Sequence, residues 1–453
     1  MLYRKILSKI IAVFLTFTVL LGAIFLSGCS TGKVSVKDKD GQVIAELAKS
    51  EISDDILYKP YLEVVIDEAI SDISNNNNCD LDKSKKMLFE KDYIIETCFD
   101  ANIYEAIEKS YLNSSLDSVP FGCAVTNLNG GLCAVYSCDI NKNINYANTA
   151  LSPYSSFKPL SVYAPAIENN TANWSKVYED SPYKKIKDEN GEFVNWPKNA
   201  TDTYTNSNIT VYQAVKESLN TVAVKCLSDY GVNNSISFLK ENFDINLDYE
   251  SKKVTNNDED EVIGNLAMGY LYKGVTVKDM AGYYQIFANG GKYYKPEAIT
   301  KIIDENGKVM YAKKDNCKQV LSESTTFIMN KLLQGVVQSG GTGAEAKMDD
   351  IEVGGKTGTG IANDCHWFVG FVPQYSCAVW HGGSSVNNYS PQIFKTIMQN
   401  LKLNKSVEYP KCRNIKQAIY CVESGLLCSK NCKQIDMGYY VADDDIGLCK
   451  IHN

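Results

Sequence analysis

The chain has 453 residues, of which 44% are hydrophobic and 22% are charged, and its formal net charge is -8 at pH 7. This length predicts two or three domains with at least one large hydrophobic core. The hydrophobic content is ordinary for a globular protein. The net negative charge argues against a general nucleic-acid partner, because such a partner requires a basic surface.

The first 29 residues have the pattern of an export signal. Three basic residues precede an apolar run over 10–26, and Leu26-Ser-Gly-Cys29 follows directly. A positive segment before a short apolar segment is typical of exported proteins. The last four residues resemble a bacterial lipobox, which predicts that Cys29 becomes a lipidated N-terminus. The alternative is an uncleaved membrane span, for which about 17 apolar residues is the short limit. Both interpretations place the remaining chain on the extracytoplasmic face of the cell membrane.

The segment that follows predicts short strands and a linker. Residues 34–47 alternate polar and apolar side chains around an Asp-Gly pair, which predicts a hairpin. Residues 71–92 contain Asn75-Asn-Asn-Asn78 and a lysine-rich run, which we interpret as a polar linker. From Tyr93 the pattern is typical of a strand followed by a helix. Residues 121–136 predict two strands joined by an Asn-Gly-Gly turn.

A serine and a lysine three residues apart, Ser155 and Lys158, form the first chemical motif. On a helix this spacing puts both side chains on one face, and Pro159 is tolerated only where that helix has just begun. The serine is therefore expected at a helix N-terminus, where the macrodipole favours developing negative charge. A lysine with a lowered pKa can activate such a serine. Other Ser-x-x-Lys pairs occur, for example Ser30 and Lys33, so the pair alone is weak evidence.

Two later motifs follow this pair in a fixed order. Ser218-Leu-Asn220 comes first, and Lys356-Thr-Gly-Thr359 comes second. The ordered triple of Ser-x-x-Lys, Ser-x-Asn and Lys-Thr-Gly is the mark of penicillin-binding proteins and serine β-lactamases. Residues 356–380 are short apolar runs flanked by glycine, which predicts paired antiparallel strands.

From about Tyr93 to about Leu401 the chain resembles the transpeptidase module of class A, bifunctional penicillin-binding proteins. This resemblance implies an α/β (α+β) fold, in which an antiparallel sheet is flanked by helices as in serine β-lactamases and D,D-transpeptidases. The expected parts are a signal or anchor (1–29), an N-terminal stalk and linker (30–92), a transpeptidase domain (93–405) and a cysteine-rich tail (406–453). The segments that carry the resemblance include Ser155-Ser-Phe-Lys-Pro159, Ser218-Leu-Asn-Thr-Val-Ala-Val-Lys225, Leu266-Ala-Met-Gly269, Gly355-Lys-Thr-Gly-Thr359 and Trp367-Phe-Val-Gly-Phe371.

The resemblance also implies a reaction. Ser155 would attack the D-Ala-D-Ala bond of a peptidoglycan stem peptide to form an acyl-enzyme, and β-lactam antibiotics would acylate the same serine. Lys158 would accept the proton, Ser218 would relay it to the leaving amine, and Asn220 would hold the substrate amide. The implied catalytic residues are Ser155, Lys158, Ser218, Asn220 and Lys356, and the implied substrate-binding residues, Thr357, Gly358 and Thr359, would receive the terminal carboxylate with Lys356.

The same resemblance defines what the chain is not expected to contain. It implies no cofactor and no catalytic metal. In the class A proteins a glycosyltransferase domain follows the N-terminal hairpin, but here the interval from Leu47 to Tyr58 is too short, since a domain needs about 50 residues. Polymerase activity is therefore expected to be absent, and a glycosyltransferase acting in trans is an expected partner beside the stem peptides, the β-lactams and the membrane.

One departure from the family pattern bears on activity. The family usually has glycine immediately before the nucleophile, and this chain has Tyr154. A bulky side chain there would narrow the cleft or shift the serine. The alternatives that the sequence leaves open are a D,D-carboxypeptidase, a β-lactamase, a β-lactam-sensing receptor and a non-catalytic cell-wall scaffold.

The tail is rich in cysteine. If Cys29 is lipidated, 14 of the 15 cysteines remain, an even number that is consistent with disulfides outside the cell. A zinc site built from Cys428, Cys432, Cys449 and His452 has suitable ligand types, and free thiols are the third alternative. The sequence assigns neither a pairing nor a metal.

Overall fold

The computed structural model describes residues 32–48, 52–116, 119–139, 144–188, 190–256, 259–383 and 387–452. The predicted export signal and its Cys29 lie outside these ranges. Within them, no helix combines the length and the apolar character needed to cross a bilayer.

Helices and strands alternate along the described chain. The strands are β1 (Val34–Lys37), β2 (Val43–Leu47), β3 (Tyr93–Thr97), β4 (Phe121–Asn127), β5 (Leu132–Cys138), β6 (Val177–Glu179), β7 (Lys184–Lys187), β8 (Phe193–Trp196), β9 (Asn208–Thr210), β10 (Lys292–Tyr293), β11 (Ile299–Asp304), β12 (Val309–Ala312), β13 (Lys318–Gln319), β14 (Gly354–Thr359), β15 (Cys365–Phe371), β16 (Tyr375–Gly382), β17 (Ile415–Cys421) and β18 (Ile435–Val441). The α-helices are α1 (Lys59–Asn77), α2 (Leu81–Glu90), α3 (Ala101–Leu112), α4 (Ala164–Glu168), α5 (Val211–Glu217), α6 (Asn220–Tyr230), α7 (Val232–Phe243), α8 (Asp248–Thr255), α9 (Glu259–Met268), α10 (Val277–Tyr284), α11 (Glu323–Val336) and α12 (Ser390–Asn400).

A five-stranded sheet in the order β14-β15-β16-β4-β5 forms the centre of the molecule, and every neighbouring pair in it is antiparallel. The strands are buried along nearly their whole length, for example six of the seven residues of β4. Helices α3, α10, α11 and α12 pack against the sheet and against each other, which explains why the strands are continuously apolar rather than alternating. The predicted antiparallel sheet flanked by helices is confirmed.

A second five-stranded sheet joins the N-terminal segment to the rest of the chain. Its order is β12-β11-β3-β1-β2, with β1 antiparallel to β2 and parallel to β3. The predicted hairpin over 34–47 is therefore present. Because β1 pairs with β3, this sheet crosses the expected boundary between residues 92 and 93, and the segment before the boundary is not a separate stalk.

The structure differs from the expected linker over 71–92. Two helices, α1 and α2, occupy most of residues 59–90. The Asp80 side chain caps α2 by accepting a hydrogen bond from the backbone N–H of Lys83 at 2.7 Å, the usual role of aspartate at a helix start. Tyr61 on α1 is fully buried and its hydroxyl donates to the carbonyl of Leu132 in β5. The asparagines that favoured a linker lie at the exposed end of α1.

The C-terminal segment forms a small module, residues 406–452, that packs beside α5. Its hairpin of β17 and β18 is antiparallel. Tyr439 on β18 contacts Trp174 with ring centroids 5.1 Å apart, and Trp174 stacks on Tyr212 of α5 at 4.8 Å. The hydroxyl of Tyr440 donates to Ser175 Oγ at 2.8 Å. The module thereby lies against the helix that ends immediately before Ser218.

Candidate active site

The serine of the first motif lies in a distorted helical turn. Tyr154–Phe157 is a 3₁₀ turn, Pro159–Tyr163 is a π turn, and α4 follows. Pro159 thus stands where a helical turn begins, as predicted, because its missing N–H needs no partner there. The turn is held from behind by Tyr284 of α10, a buried residue whose hydroxyl donates to the carbonyl of Ser156.

The residue before the serine has left-handed backbone geometry. Tyr154 has φ +48°, a region that a bulky residue rarely adopts and glycine adopts freely. Its N–H donates to the carbonyl of Gly269 at 3.0 Å, and a Cβ at position 269 would lie 2.1 Å from the Tyr154 carbonyl oxygen. The ring turns towards Tyr270, with centroids 5.5 Å apart. The backbone conformation gives a physical reason for the glycine that the family usually has here.

The second motif occupies the junction of two helices. Ser218 ends α5 with φ +64°, and α6 begins at Asn220. The Lys158 ammonium donates to the Ser218 carbonyl at 2.8 Å and to Asn220 Oδ1 at 2.6 Å. The structure therefore brings the first two motifs into direct contact.

The third motif lies on β14, the edge strand of the central sheet. The Lys356 ammonium donates to Ser218 Oγ at 2.7 Å. Thr357 Oγ1 donates to Thr342 Oγ1 at 2.7 Å, and Thr359 is exposed at the end of the strand. A Cβ at Gly358 would lie 2.6 Å from the carbonyl oxygen of Pro153. The glycine thus lets β14 approach the nucleophile turn closely.

Two lysine ammonium groups meet at one residue, Ser218, without an acidic partner: Lys158 donates to its backbone carbonyl and Lys356 to its hydroxyl. Lys158 and Lys356 are both fully buried, and neither forms an ion pair with any described carboxylate. Burial lowers the pKa of Lys158 well below its ordinary value, and the charge of Lys356 lowers it further. Burial lowers the pKa of Lys356 to about 7. Two buried ammonium groups at one residue disfavour the state in which both lysines are charged, so one of the two amines is readily neutral.

The hydroxyl of Ser155 itself is half-buried and, within the described residues, has no hydrogen-bond partner. Lys158 donates to Ser218 and Asn220 instead, although the Lys158 N–H bonds to the Ser155 carbonyl along the turn. Catalytic hydrogen bonds often tighten only when substrate binds. The predicted side-chain contact between Ser155 and Lys158 stays a prediction.

A buried polar network behind Asn220 was not predicted. Asp180 is 1% exposed and accepts hydrogen bonds from Thr221 Oγ1 at 2.6 Å, Asn199 Nδ2 at 2.8 Å and the Thr205 N–H at 2.8 Å. Asn199 Oδ1 in turn accepts from the Asn220 N–H at 2.9 Å. Burial alone would raise the pKa of Asp180, but these donors together lower it. The network fixes the start of α6, and with it the amide that contacts Lys158.

The three motifs thus meet in one place, at which an alcohol, a neutral amine and a second hydroxyl can act together on an acyl group. Comparison with known proteins agrees with that chemistry. The family described as penicillin binding protein transpeptidase domain matches residues 123–399.

Curated relatives match a larger share of the chain than the family model does. Penicillin-binding protein 1A of Clostridium botulinum (strain Langeland / NCTC 10281 / Type F) is 31% identical over 406 residues, which cover 83% of this chain and 48% of that protein. Penicillin-binding protein 1F of Bacillus subtilis (strain 168) is 30% identical over 385 residues, which cover 80% of this chain and 49% of that protein. The chain spans about half the length of the curated relatives it matches.

Solved structures share the fold at lower identity. The D,D-transpeptidase domain of a peptidoglycan glycosyltransferase from Eggerthella lenta superimposes with a TM-score of 0.62 at 18% identity, covering 82% of this chain and 98% of that one. PonA1 of Mycobacterium tuberculosis in complex with penicillin V gives 0.60 at 18% identity, covering 77% and 96%. Since the family match takes in more than half of the residues, the chain belongs to the penicillin-binding protein transpeptidase family.

Proposed function

We propose that this protein is a peptidoglycan D,D-transpeptidase that forms an acyl-enzyme on Ser155 and is acylated by β-lactams at the same atom. The observation that carries the proposal is the meeting of the two buried lysines, Lys158 and Lys356, at Ser218. Burial lowers the pKa of both lysines, and the charge of Lys356 lowers the pKa of Lys158 further, which favours the neutral amine that a serine nucleophile needs.

In the acylation step, Ser155 Oγ attacks the carbonyl carbon of the D-Ala-D-Ala bond while Lys158 takes the hydroxyl proton. Ser218, which accepts a hydrogen bond from Lys356, passes a proton to the leaving amine of D-alanine. Asn220 holds Lys158 in place through its Oδ1 and offers its side chain to the substrate amide. The acyl group is then transferred to the amine of a second stem peptide.

The other residues of β14 fit the binding of a carboxylate. Lys356 supplies a positive charge, and the hydroxyls of Thr357 and Thr359 supply donors beside it. The backbone N–H groups of Ser155 and Thr359 would form the oxyanion hole, a device for which one donor contributes about 10²–10³ in rate in other acyl-transfer enzymes. The close approach of β14 to the nucleophile turn at Gly358, where a Cβ would lie 3.1 Å from the Ser156 backbone nitrogen, supports this proposal.

Transpeptidation is favoured over β-lactam hydrolysis by the position of Asp180. A β-lactamase needs a base that activates water for deacylation. The carboxylate of Asp180 is buried and accepts hydrogen bonds from three neighbouring residues, so it serves to fix α6. Asp180 is therefore not expected to act as that base, and we expect the acyl-enzyme to be long-lived.

We also propose that strand polymerisation is left to a separate glycosyltransferase. The chain passes from β2 to α1 between Leu47 and Lys59, an interval with no room for a catalytic domain. The expected location is the extracytoplasmic face of the cell membrane, where the pattern of residues 1–29 would anchor the chain.

Intact-mass spectrometry of the purified protein after incubation with penicillin tests the proposal. The wild type is expected to gain the mass of one penicillin, and Ser155→Ala is expected to gain none. Ser152→Ala is the matched control, since its hydroxyl lies in the same segment and makes only a 3.5 Å contact with the Leu271 carbonyl. This control should acylate like the wild type.

Other outcomes would change the assignment. Rapid penicillin hydrolysis without an adduct would identify a β-lactamase. An adduct together with release of D-alanine from a stem peptide, but without any cross-linked product when an acceptor amine is present, would identify a carboxypeptidase. Neither adduct nor hydrolysis would leave a non-catalytic scaffold.

A further inference from the structure

Three cysteines and one histidine of the C-terminal module converge on a single point. Cys421 ends β17, Cys432 precedes β18, and Cys449 and His452 lie in the last turn of the described chain. Their potential ligand atoms, three Sγ atoms and one ring nitrogen, all lie within 4.8 Å of one another. From this cluster we propose that the module binds one structural zinc ion through Cys421, Cys432, Cys449 and His452.

The separations inside the cluster fit tetrahedral coordination. His452 Nδ1 lies 3.5 Å from Cys421 Sγ and 3.4 Å from Cys449 Sγ. With Zn–S bonds of about 2.3 Å and Zn–N bonds of about 2.0–2.1 Å, a tetrahedral site places sulfur and nitrogen ligands about 3.6 Å apart. The side chains are therefore already near the positions that such a site requires.

The surrounding hydrogen bonds orient the ligands. His452 Nε2 lies 2.9 Å from Glu423 Oε2, so the N–H of the ring is directed to the carboxylate and Nδ1 presents its lone pair to the sulfurs. Histidine ligands in metal sites usually have such a carboxylate partner. The backbone N–H of Ser429 donates to Cys432 Sγ at 3.2 Å, a contact that stabilises a thiolate.

The small size of the module explains why a bound metal ion would stabilise it. A lone two-stranded hairpin is marginally stable, and the outer face of this one exposes Ile419, Ile435 and Met437. The segments that hold the four ligands are joined by a few backbone hydrogen bonds and by two isolated bridges, one from Leu427 to Tyr420 and one from Leu427 to Leu448. Metal ligation is a common way to stabilise a unit with so small a core.

The ligand types in the cluster favour zinc over other metals and argue against disulfides. Three thiolates and one imidazole in tetrahedral geometry are typical of a closed structural Zn²⁺ site. The hairpin and the last turn hold Cys421, Cys428, Cys432 and Cys449, so pairing all four in two disulfides would require Cys428. The cluster, however, omits Cys428 and includes His452. The zinc alternative drawn from the sequence used Cys428, whereas the cluster in the structure has Cys421 instead.

Elemental analysis of the full-length protein, purified from cells grown with zinc, tests the site. One zinc per chain is expected for the wild type and for Cys428→Ser, whereas Cys432→Ser and Cys449→Ser should contain none. Penicillin acylation of each variant shows whether the rest of the molecule is folded. Glu423→Gln should keep the ion but bind it about 10–100-fold more weakly, because it changes only the partner of the histidine.

Two results would overturn the proposal. One is a wild-type protein that contains no zinc and in which peptide mapping finds Cys421, Cys432 or Cys449 in a disulfide. The other is loss of zinc from Cys428→Ser to the same extent as from Cys449→Ser. Titration of the metal-free wild type with Co²⁺ gives an independent reading, since thiolate-bound tetrahedral cobalt absorbs visible light and zinc should abolish that absorption by displacement.

Discussion

The active-site cleft and the C-terminal module position their chemical groups by different means. In the cleft, Lys158 and Lys356 are buried by the packing of α5, α6 and β14 around them, and a hydrogen-bonded network fixes each partner. In the module, Cys421 ends β17 and the other three ligands lie outside the strands of a two-stranded hairpin with little core of its own. A large core can hold unfavourable groups, such as two unpaired lysines, in place. A small unit with little core is instead stabilised by side chains that bind one metal ion.

The largest effect expected from this contrast is on acylation by Lys158→Met. Loss of the base should slow penicillin acylation by about 10²–10⁴-fold, as measured by stopped-flow with a fluorescent penicillin. The Tm should change by only a few degrees, because removal of a buried amine offsets the loss of its two hydrogen bonds. Lys225→Met is the control, since Lys225 bonds to Glu179 and Ser181 outside the cleft. Equal slowing in both variants would contradict the assignment.

Removal of metal should affect only the module. After treatment of the full-length protein with a zinc chelator, we expect amide hydrogen exchange in β17 and β18 to accelerate by an order of magnitude or more. Exchange in β14, β15 and β16 should stay unchanged, because their stability comes from the central core. Equal acceleration in both regions would show that the two are one cooperative unit.

The pH dependence of the cleft follows from the lysine pKa values. Lys356 has its pKa lowered to about 7 by burial, so between about pH 7 and pH 10 the unfolded chain binds more protons than the folded one, and stability should rise with pH in that window. Lys356→Met should flatten this rise in denaturant titrations. In the same variant, the pH below which the acylation rate falls should move to a higher value. The reason is that the charge of Lys356 helps to lower the pKa of Lys158, and the variant lacks that charge. No change in that pH would exclude the coupling.

The smallest effect is expected for Tyr154→Gly. Glycine relieves a left-handed backbone that costs about 1–2 kcal/mol for other residues, but the variant loses a ring contact with Tyr270 worth about 0.5–1.5 kcal/mol. The free energy of unfolding should therefore change little, and the acylation rate by less than about tenfold. A much larger gain in rate would mean that the tyrosine obstructs the cleft.

Much of the fold was predictable because its signals are local. Turn residues such as Asn129-Gly-Gly131 marked the hairpin of β4 and β5, and apolar runs marked β15 and β16. The order of the three motifs, with the resemblance they carry, indicated that Ser155, Ser218 and Lys356 belong to one site. The structure places the second and third of these in contact and the first on the adjoining turn.

What was missed depends on contacts between distant segments. Asp180 and Asn199 have no motif, and only the folded chain shows that they support Asn220. Residues 71–92 predict a linker because most of their side chains are polar, whereas the end of α1 and the whole of α2 lie in this segment with their polar residues outward. Cys421, which is buried at the end of β17, lies in the cluster in place of Cys428, and spacing along the chain cannot reveal which of the two faces the other ligands.

The absence of any described carboxylate beside Lys158 and Lys356 has a consequence for ligand binding. The carboxylate of a stem peptide or a penicillin would supply the missing counter-charge and raise the pKa of Lys356 from about 7. Binding near pH 7.5 should then take up about three quarters of a proton from the solvent, because a group with a pKa of about 7 is already about one quarter protonated at that pH. Calorimetry of Ser155→Ala in buffers with different ionisation enthalpies would measure this uptake as a buffer-dependent heat. Binding of an acidic ligand is thus expected to be coupled to protonation of Lys356.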